Sequence, residues 1–342
     1  MPHNSRERVL VTGISGFIGL HCAKELLKKG FEVRGSVRNM KKADEVLMTL
    51  AAASVDAQNL TFAQLDLTSD KGWNKATEGC DYMMHIASPF TIANPKTEEE
   101  MITPAVEGSL RALRAAESAG VKRVVVTSSI VAMMGSMKTG TFGPSDWTNS
   151  NSSKISTYTK SKTLAERAAW DFMQNLPASS TMELVTVNPG GVFGPPLGAN
   201  ITGQTMAIVD QMLNGKLPLI PNIAIPMVDV RDLAVLHVQA MITPDAKNKR
   251  IIAAASAPSS FADVAQILKD EGFKGPSTRI APDFFLRFMS LFDREAKGML
   301  GMLGMNLSAN NAATRAMFDW TPRSVKQSIQ DTAKAVRLIQ DQ

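Results

Sequence analysis

The chain has 342 residues, 44% of them hydrophobic and 20% charged, with a formal net charge of +5. That is the profile of a soluble globular protein, long enough for one large α/β domain or two smaller ones. The basic pairs Lys28–Lys29, Lys41–Lys42 and Lys122–Arg123 are scattered among acids, so the charge fits a mildly basic enzyme with an anionic cofactor and no nucleic-acid partner. Two cysteines, Cys22 and Cys80, read as buried thiols and exclude a disulfide framework. The four histidines (His3, His21, His85 and His237) form no H-x-x-x-H pair and no C-x-x-C occurs, so no metal is expected. The N-terminus lacks an apolar signal core, and no apolar run approaches the ~18 residues of a membrane span. The expectation is a cytoplasmic protein with no membrane partner. The twenty methionines are read as core filling, and second as a plastic pocket.

The first predicted elements organise the rest. V-L-V-T from Val9 to Thr12 reads as a buried parallel strand. Gly13, Gly16 and Gly19 follow at intervals of three, and apolar residues then recur at helical spacing from Phe17 to Leu27, with Gly30 as C-cap. Strand, glycine turn and helix form the phosphate-binding entry of a Rossmann unit, where backbone approaches a pyrophosphate at a helix N-terminus. Thr12, Gly13, Ser15, Gly16, Phe17, Ile18 and Gly19 are therefore cofactor-site candidates. The spacing is G-x-x-G-x-x-G, not G-x-G-x-x-G. In the T-G-x-x-G-x-x-G form it resembles the extended branch of the short-chain dehydrogenase/reductase superfamily.

A second strand is predicted over 32–37, followed by Arg38 where NAD-binding units place an acid. An arginine there accommodates a 2′-phosphate, which points to NADPH, and Lys41 and Lys42 add attraction. A third strand, 60–65, delivers Asp66 and Leu67; Asp66 either accepts from the adenine amino group or caps the next turn. A fourth, 81–86, delivers Ala87, Ser88, Pro89 and Phe90 to the same edge. Thr97 and Glu100 spell a capping box for a long helix to Ala119 that contains Pro104. A fifth strand, 122–127, ends at Thr127 and presents Ser128 and Ser129. The polar stretch 135–157 reads as a long functional loop. A helix opens at Tyr158, a sixth strand spans 182–187, and Pro189, Gly190, Val192 and Phe193 follow it. A helix entered through V-D-V-R-D at 228–232 and a last strand at 250–254 precede a tail that is mostly helical by pattern.

Ser129, Tyr158 and Lys162 carry the chemistry. Tyrosine and lysine four apart share one helix face, and an ammonium beside a phenol favours phenolate. Bringing a phenol from about 10 to near 7 takes about 4 kcal/mol. Such a tyrosine acts as general acid toward a carbonyl oxygen, or as base in reverse, while Ser129 holds that oxygen. The competing reading pairs Lys162 with Glu166. The chain has only two tyrosines, Tyr82 and Tyr158, and one stands at this place in the order of elements.

Y-T-K-S-K-T-L-A-E-R-A-A-W at 158–170, H-I-A-S-P-F at 85–90, V-V-V-T-S-S at 124–129 and N-P-G-G-V-F-G-P at 188–195 resemble the blocks of the dihydroflavonol 4-reductase and cinnamoyl-CoA reductase family. The resemblance runs from Val9 to about Ala240. It implies Ser129, Tyr158 and Lys162 as the triad, NADPH as hydride donor and Pro189 with its neighbours against the nicotinamide. Two departures stand out. Ala105 occupies a place where the wider superfamily often has an assisting asparagine, and the 135–157 loop is shorter than in plant members.

The expectation is an α/β fold: a doubly wound Rossmann-type parallel sheet with a smaller, mostly helical C-terminal substrate lobe. The NADP-binding domain would take 1–189 and 227–257, and the substrate lobe 190–226 and 258–342. The expected activity is NADPH-dependent reduction of an aldehyde or ketone, by a monomer or homodimer. The alternatives are a sugar-nucleotide epimerase, a 3β-hydroxysteroid-type dehydrogenase or a non-catalytic NADP-sensing regulator. Epimerases retain NAD, against which Arg38 stands. Phe90, Thr91, Met133, Met134, Phe193 and Met206, flanking the triad blocks, are the substrate-pocket candidates.

Overall fold

The computed structural model describes residues 7–89, 93, 95–199 and 203–341. Along the first half strands and helices alternate: β1 (Arg8–Thr12), α1 (Phe17–Lys28), β2 (Glu32–Val37), α2 (Lys41–Ala52), β3 (Leu60–Gln64), α3 (Trp73–Thr77), β4 (Tyr82–His85), α4 (Glu99–Ser118) and β5 (Arg123–Thr127). A short helix α5 (Val131–Met134) and strand β6 (Thr139–Phe142) come next, then α6 (Thr157–Gln174) and β7 (Glu183–Pro189). The remainder holds β8 (Gly191–Phe193), α7 (Gln204–Leu213), β9 (Ala224–Asp229), α8 (Val230–Ile242), β10 (Arg250–Ala253) and β11 (Pro258–Ser260). It ends with α9 (Phe261–Asp270), α10 (Asp283–Met289), α11 (Arg294–Met299), β12 (Asn306–Ala309), α12 (Ala312–Phe318) and α13 (Val325–Gln340).

Seven strands form one parallel sheet in the order β10-β7-β5-β4-β1-β2-β3. The order reverses between β1 and β4, and in such sheets the ligand crevice opens at that switch point. Helices α4 and α6 pack together on one face, α1 and α8 on the other. The strands are short apolar runs because both faces are covered: Val9, Leu10, Met83, Met84, Val124, Val125, Leu184 and Val185 are almost fully buried.

A second sheet, β11-β9-β12-β6, has β8 paired to β9. Its strands come from segments far apart in the chain, and their apolar sides meet α7, α9 and α13. Two expectations change here. The 135–157 stretch is not loop throughout, since β6 pairs in parallel with β12. The strand expected to be last, 250–254, is followed by β11 and β12, while the tail from Phe261 is mostly helical as expected. The Thr97–Glu100 capping box is absent: α4 begins after Glu98 with no side-chain cap, and the Glu100 carboxylate accepts from Lys96 N at 3.1 Å. Both cysteines are free and buried. No helix among the described residues is long and apolar enough to cross a membrane.

Candidate active site

The turn after β1 brings backbone to the crevice. Gly13 has φ +68° and accepts from Gly16 N at 3.0 Å. A side chain at Gly19 would place its Cβ 2.3 Å from Gly13 O, so α1 comes this close to the strand only as glycine. Gly16, the N-cap of α1, offers no side chain to the first turn. The N–H groups there are left for an anion, which the helix dipole favours. The residues fit a dinucleotide: a backbone cradle at the centre of the cleft with an arginine at one end.

That arginine is Arg38, exposed at the end of β2 and lining the cleft beside Asp66. Asp66 caps its own turn, accepting from Thr68 N (2.8 Å) and Thr68 Oγ1 (2.6 Å). These bonds, and then the charges of Arg38 and Arg111, hold its carboxyl below the usual range. Of the cofactor candidates, Lys42 alone does not reach the cleft; its Nζ lies 2.6 Å from Glu45, one turn along α2.

Beyond β5, Ser129 meets the first turn of α6, whose N-cap Ser156 accepts from Thr159 N. The Tyr158 hydroxyl is hydrogen-bonded to Ser129, and Lys162 Nζ donates to Thr127 O at 3.4 Å. The neighbouring serine faces away, since Ser128 Oγ donates to Glu166. The phenol's pKa lies above its usual value, opposite to the direction expected. Burial pushes Tyr158 up to about 12, with the Ser129 bond opposing. Burial also pushes Lys162 down to about 8. Desolvation disfavours both charged forms and is the largest cause in each case. Nor do Lys162 and Glu166 form an ion pair; Glu166 bonds to Arg250 instead.

The cleft encloses about 860 Å³. It runs from Arg38, Asp66 and Leu67 past the glycine turn, Ala87, Ser88, Thr127, Tyr158 and Lys162 to Pro189, Gly190 and Val192. Its far wall is apolar: Phe17, Val131, Met134, Phe193, Ile208, Ile225, Phe261 and Met302. Met134 and Phe193 therefore stand where the sequence placed them. Met133 and Met206 do not; each is 1% exposed and packs in the core behind the lining residues. Phe90 and Thr91 lie outside the described residues. Val131, Ile208, Ile225, Phe261 and Met302 were missed. Only Phe261 carried a local signal, as the first helical residue after the Ser260 capping box.

Residues 9–255 match the NAD dependent epimerase/dehydratase family. Among relatives, the chain is 29% identical over 282 residues to the NADPH-dependent methylglyoxal reductase GRE2 of Saccharomyces cerevisiae, covering 77% of this chain and 82% of that protein. It is 33% identical over 250 residues to cinnamoyl-CoA reductase 1 of Arabidopsis thaliana, covering 72% and 70%. Yeast methylglyoxal/isovaleraldehyde reductase Gre2, solved with NADPH, superposes with a TM-score of 0.80 at 25% identity, covering 98% of this chain and 99% of that one. Its family match, its sequence relatives and its fold agree, and the chain belongs to the NAD dependent epimerase/dehydratase family of extended short-chain dehydrogenases/reductases, in the branch of the dihydroflavonol and cinnamoyl-CoA reductases.

Proposed function

We propose that this protein is an NADPH-dependent reductase of uncharged, largely apolar aldehydes or ketones. The observation that carries the reading is one cleft holding both the glycine cradle with Arg38 and, farther along, Tyr158 bonded to Ser129 beside Lys162. The relatives named as NADPH-dependent methylglyoxal reductase and cinnamoyl-CoA reductase support it.

NADPH bound along the cleft supplies the hydride. Gly13, Gly16 and the first-turn N–H groups of α1 would hold its pyrophosphate, Arg38 its 2′-phosphate, and Pro189 to Val192 its nicotinamide end. Ser129 donates to the carbonyl oxygen and strengthens that bond as charge develops. Tyr158, raised by burial, stays protonated at neutral pH and gives its proton to the same oxygen. Lys162 places positive charge behind the phenol and eases its release of the proton. The apolar wall admits a hydrocarbon substituent, and among the described residues no charged side chain stands in it.

The test is a panel of aliphatic, aromatic and anionic carbonyls followed by loss of NADPH absorbance. Apolar members are expected to turn over and anionic ones to lag. Absence of turnover with every member refutes the reading.

A further inference from the structure

Behind the Tyr158 face of the cleft lies a buried polar cluster that this chemistry does not use. Glu166 stands one turn beyond Lys162 on α6, its side chain fully buried. One carboxylate oxygen, Oε1, accepts from Arg250 Nε (2.6 Å), Thr186 Oγ1 (3.1 Å) and Trp170 Nε1 (3.4 Å). The other, Oε2, accepts from Ser128 Oγ (2.5 Å) and Asn188 Nδ2 (2.7 Å). Every neighbour donates, which suits a carboxylate, an acceptor on both oxygens. Arg250 is itself fixed: Nη1 donates to Pro144 O (2.7 Å) and Asp146 O (2.6 Å), and its guanidinium lies 3.7 Å from the centre of the Trp147 ring.

Three features turn this cluster toward the reacting groups. Asn188 Nδ2 also donates to Ser129 O at 3.2 Å, and Ser128 adjoins Ser129. Glu166 thereby ties down the strand end that presents Ser129 to Tyr158. Next, a cavity of about 10 Å³ lies between Lys162, Glu166, Ser128, Thr127, His85 and Ser109, room for about one water. Finally, Lys162 is only 7% exposed, and among the described residues its Nζ makes one long hydrogen bond, to Thr127 O.

We propose, on the reductase reading above, that Glu166 clamped by Arg250 is a positioning residue: its carboxylate keeps Lys162 in the ammonium form across the water-sized cavity and holds Ser129 in register with Tyr158. A nearby negative charge opposes the burial that lowers Lys162. The other titratable groups facing Lys162 are Tyr158 on the same helix and His85 at the end of β4, with His237 of α8 behind Thr127. From α4 comes only Ser109, whose hydroxyl donates to Ala105 O. Burial holds His85 at about 3 and His237 at about 4, so both are neutral at pH 7. Among the described residues Glu166 is the acidic group that borders the lysine's cavity.

The experiment titrates Lys162 directly, by carbon-13 NMR of the full chain labelled at the lysine side-chain carbons, the signal assigned by its loss in Lys162→Arg. In Glu166→Gln the midpoint should fall by roughly one pH unit or more. The alkaline limb of kcat should move down with it, and KM for the carbonyl should change less than kcat. An unchanged midpoint in folded Glu166→Gln overturns the proposal. If that variant does not fold, Glu166→Gln with Arg250→Gln removes both charges together. The midpoint should still fall, by less, because Glu166 and not Arg250 borders the cavity. Failure of both variants to fold also overturns the proposal, since the cluster would then serve the fold alone. A wild type that reduces no carbonyl refutes the reductase reading instead, and the lysine titration still decides on Glu166.

Discussion

At its nucleotide end the cleft is built from backbone: a glycine turn, the bare first turn of α1, and Arg38 at the margin. At its far end it is built from side chains that separate segments contribute, among them Ile208 on α7, Ile225 on β9, Phe261 on α9 and Met302 after α11. The backbone of the first end suits groups common to every dinucleotide and tolerates no added side chain where Gly19 meets Gly13. On the reading proposed above, the second sets which carbonyl enters, and its residues lie outside the seven-stranded sheet. Tyr158 and Ser129 stand at the border and belong to neither. Residues at the backbone-built end and the border should therefore be sensitive, and residues of the apolar wall tunable.

Several measurements can break that contrast. The largest effect is expected at the border: Tyr158→Phe should fold and bind NADPH while losing roughly 10²–10⁴ in kcat. A variant keeping more than a third of wild-type kcat would remove Tyr158 from the mechanism. Acid should act next, and on the sheet half. His21 on α1, His85 on β4 and His237 on α8 are all buried, with pKa values lowered to about 4, about 3 and about 4. The unfolded chain binds protons at these sites near pH 6.5 and the folded one does not. Their stabilisation is therefore complete above that pH and is lost as pH falls from about 6.5 toward 4, by up to about 1.4 kcal/mol per histidine per pH unit. Urea unfolding at pH 7 and pH 5 measures it, and equal stabilities would contradict it.

A smaller effect is expected at the nucleotide margin. Arg38→Ala should raise Kd for NADPH by about 10- to 150-fold and leave NADH nearly unchanged, as a charge-assisted contact is worth about 1.5–3 kcal/mol. Lys42→Ala, by contrast, should leave the preference alone. Calorimetric titration of both cofactors decides this, and wild type binding NADH as tightly as NADPH would refute it. The smallest effect belongs to the apolar wall. Ile225→Val removes one methylene, about 0.8 kcal/mol, and should lower kcat/KM for a long-chain relative to a short-chain aldehyde about fourfold. Equal losses for both aldehydes would mean that Ile225 acts on the fold and not on the choice of substrate.

The sheet half was readable from sequence because each unit is self-contained. The run Glu32–Val37 is a strand with the bounds its apolar pattern gives, and Gly13 and Gly30 sit at the positive φ that a turn and a helix end require. The meeting of Ser129 and Tyr158 in one cleft was readable for the same reason: Ser129 follows one such strand, and Tyr158 stands in the first turn of the long helix α6. What escaped depends on tertiary context. The strand Thr139–Phe142 has three exposed residues of four and exists only through its partner β12. Met133 and Met134 are neighbours on a single helical turn, where one residue's step of about 100° separates core from cleft. The spelling around Thr97 matched a capping box, but the helix begins too late to use it. Charge state escaped as well. Lysine near tyrosine was visible in the sequence, whereas the burial that governs both pKa values was not.

The place of β12 bears on how the molecule comes to be folded. It lies between β9 and β6, in the interior of its sheet, yet it is the last strand in the chain. During synthesis the glycine turn and the Ser129–Tyr158 pair emerge early, and the large sheet closes once β10 is out. The small sheet must wait for residues 306–309. Until they arrive, β6 and β9 present bare edges, and unpaired strands in a nascent chain are where aggregation begins. Joining β6 to β12 closes a long loop, a slow step by its contact order. The apolar wall of the cleft is thus completed last, after the glycine turn and the Ser129–Tyr158 pair are in place.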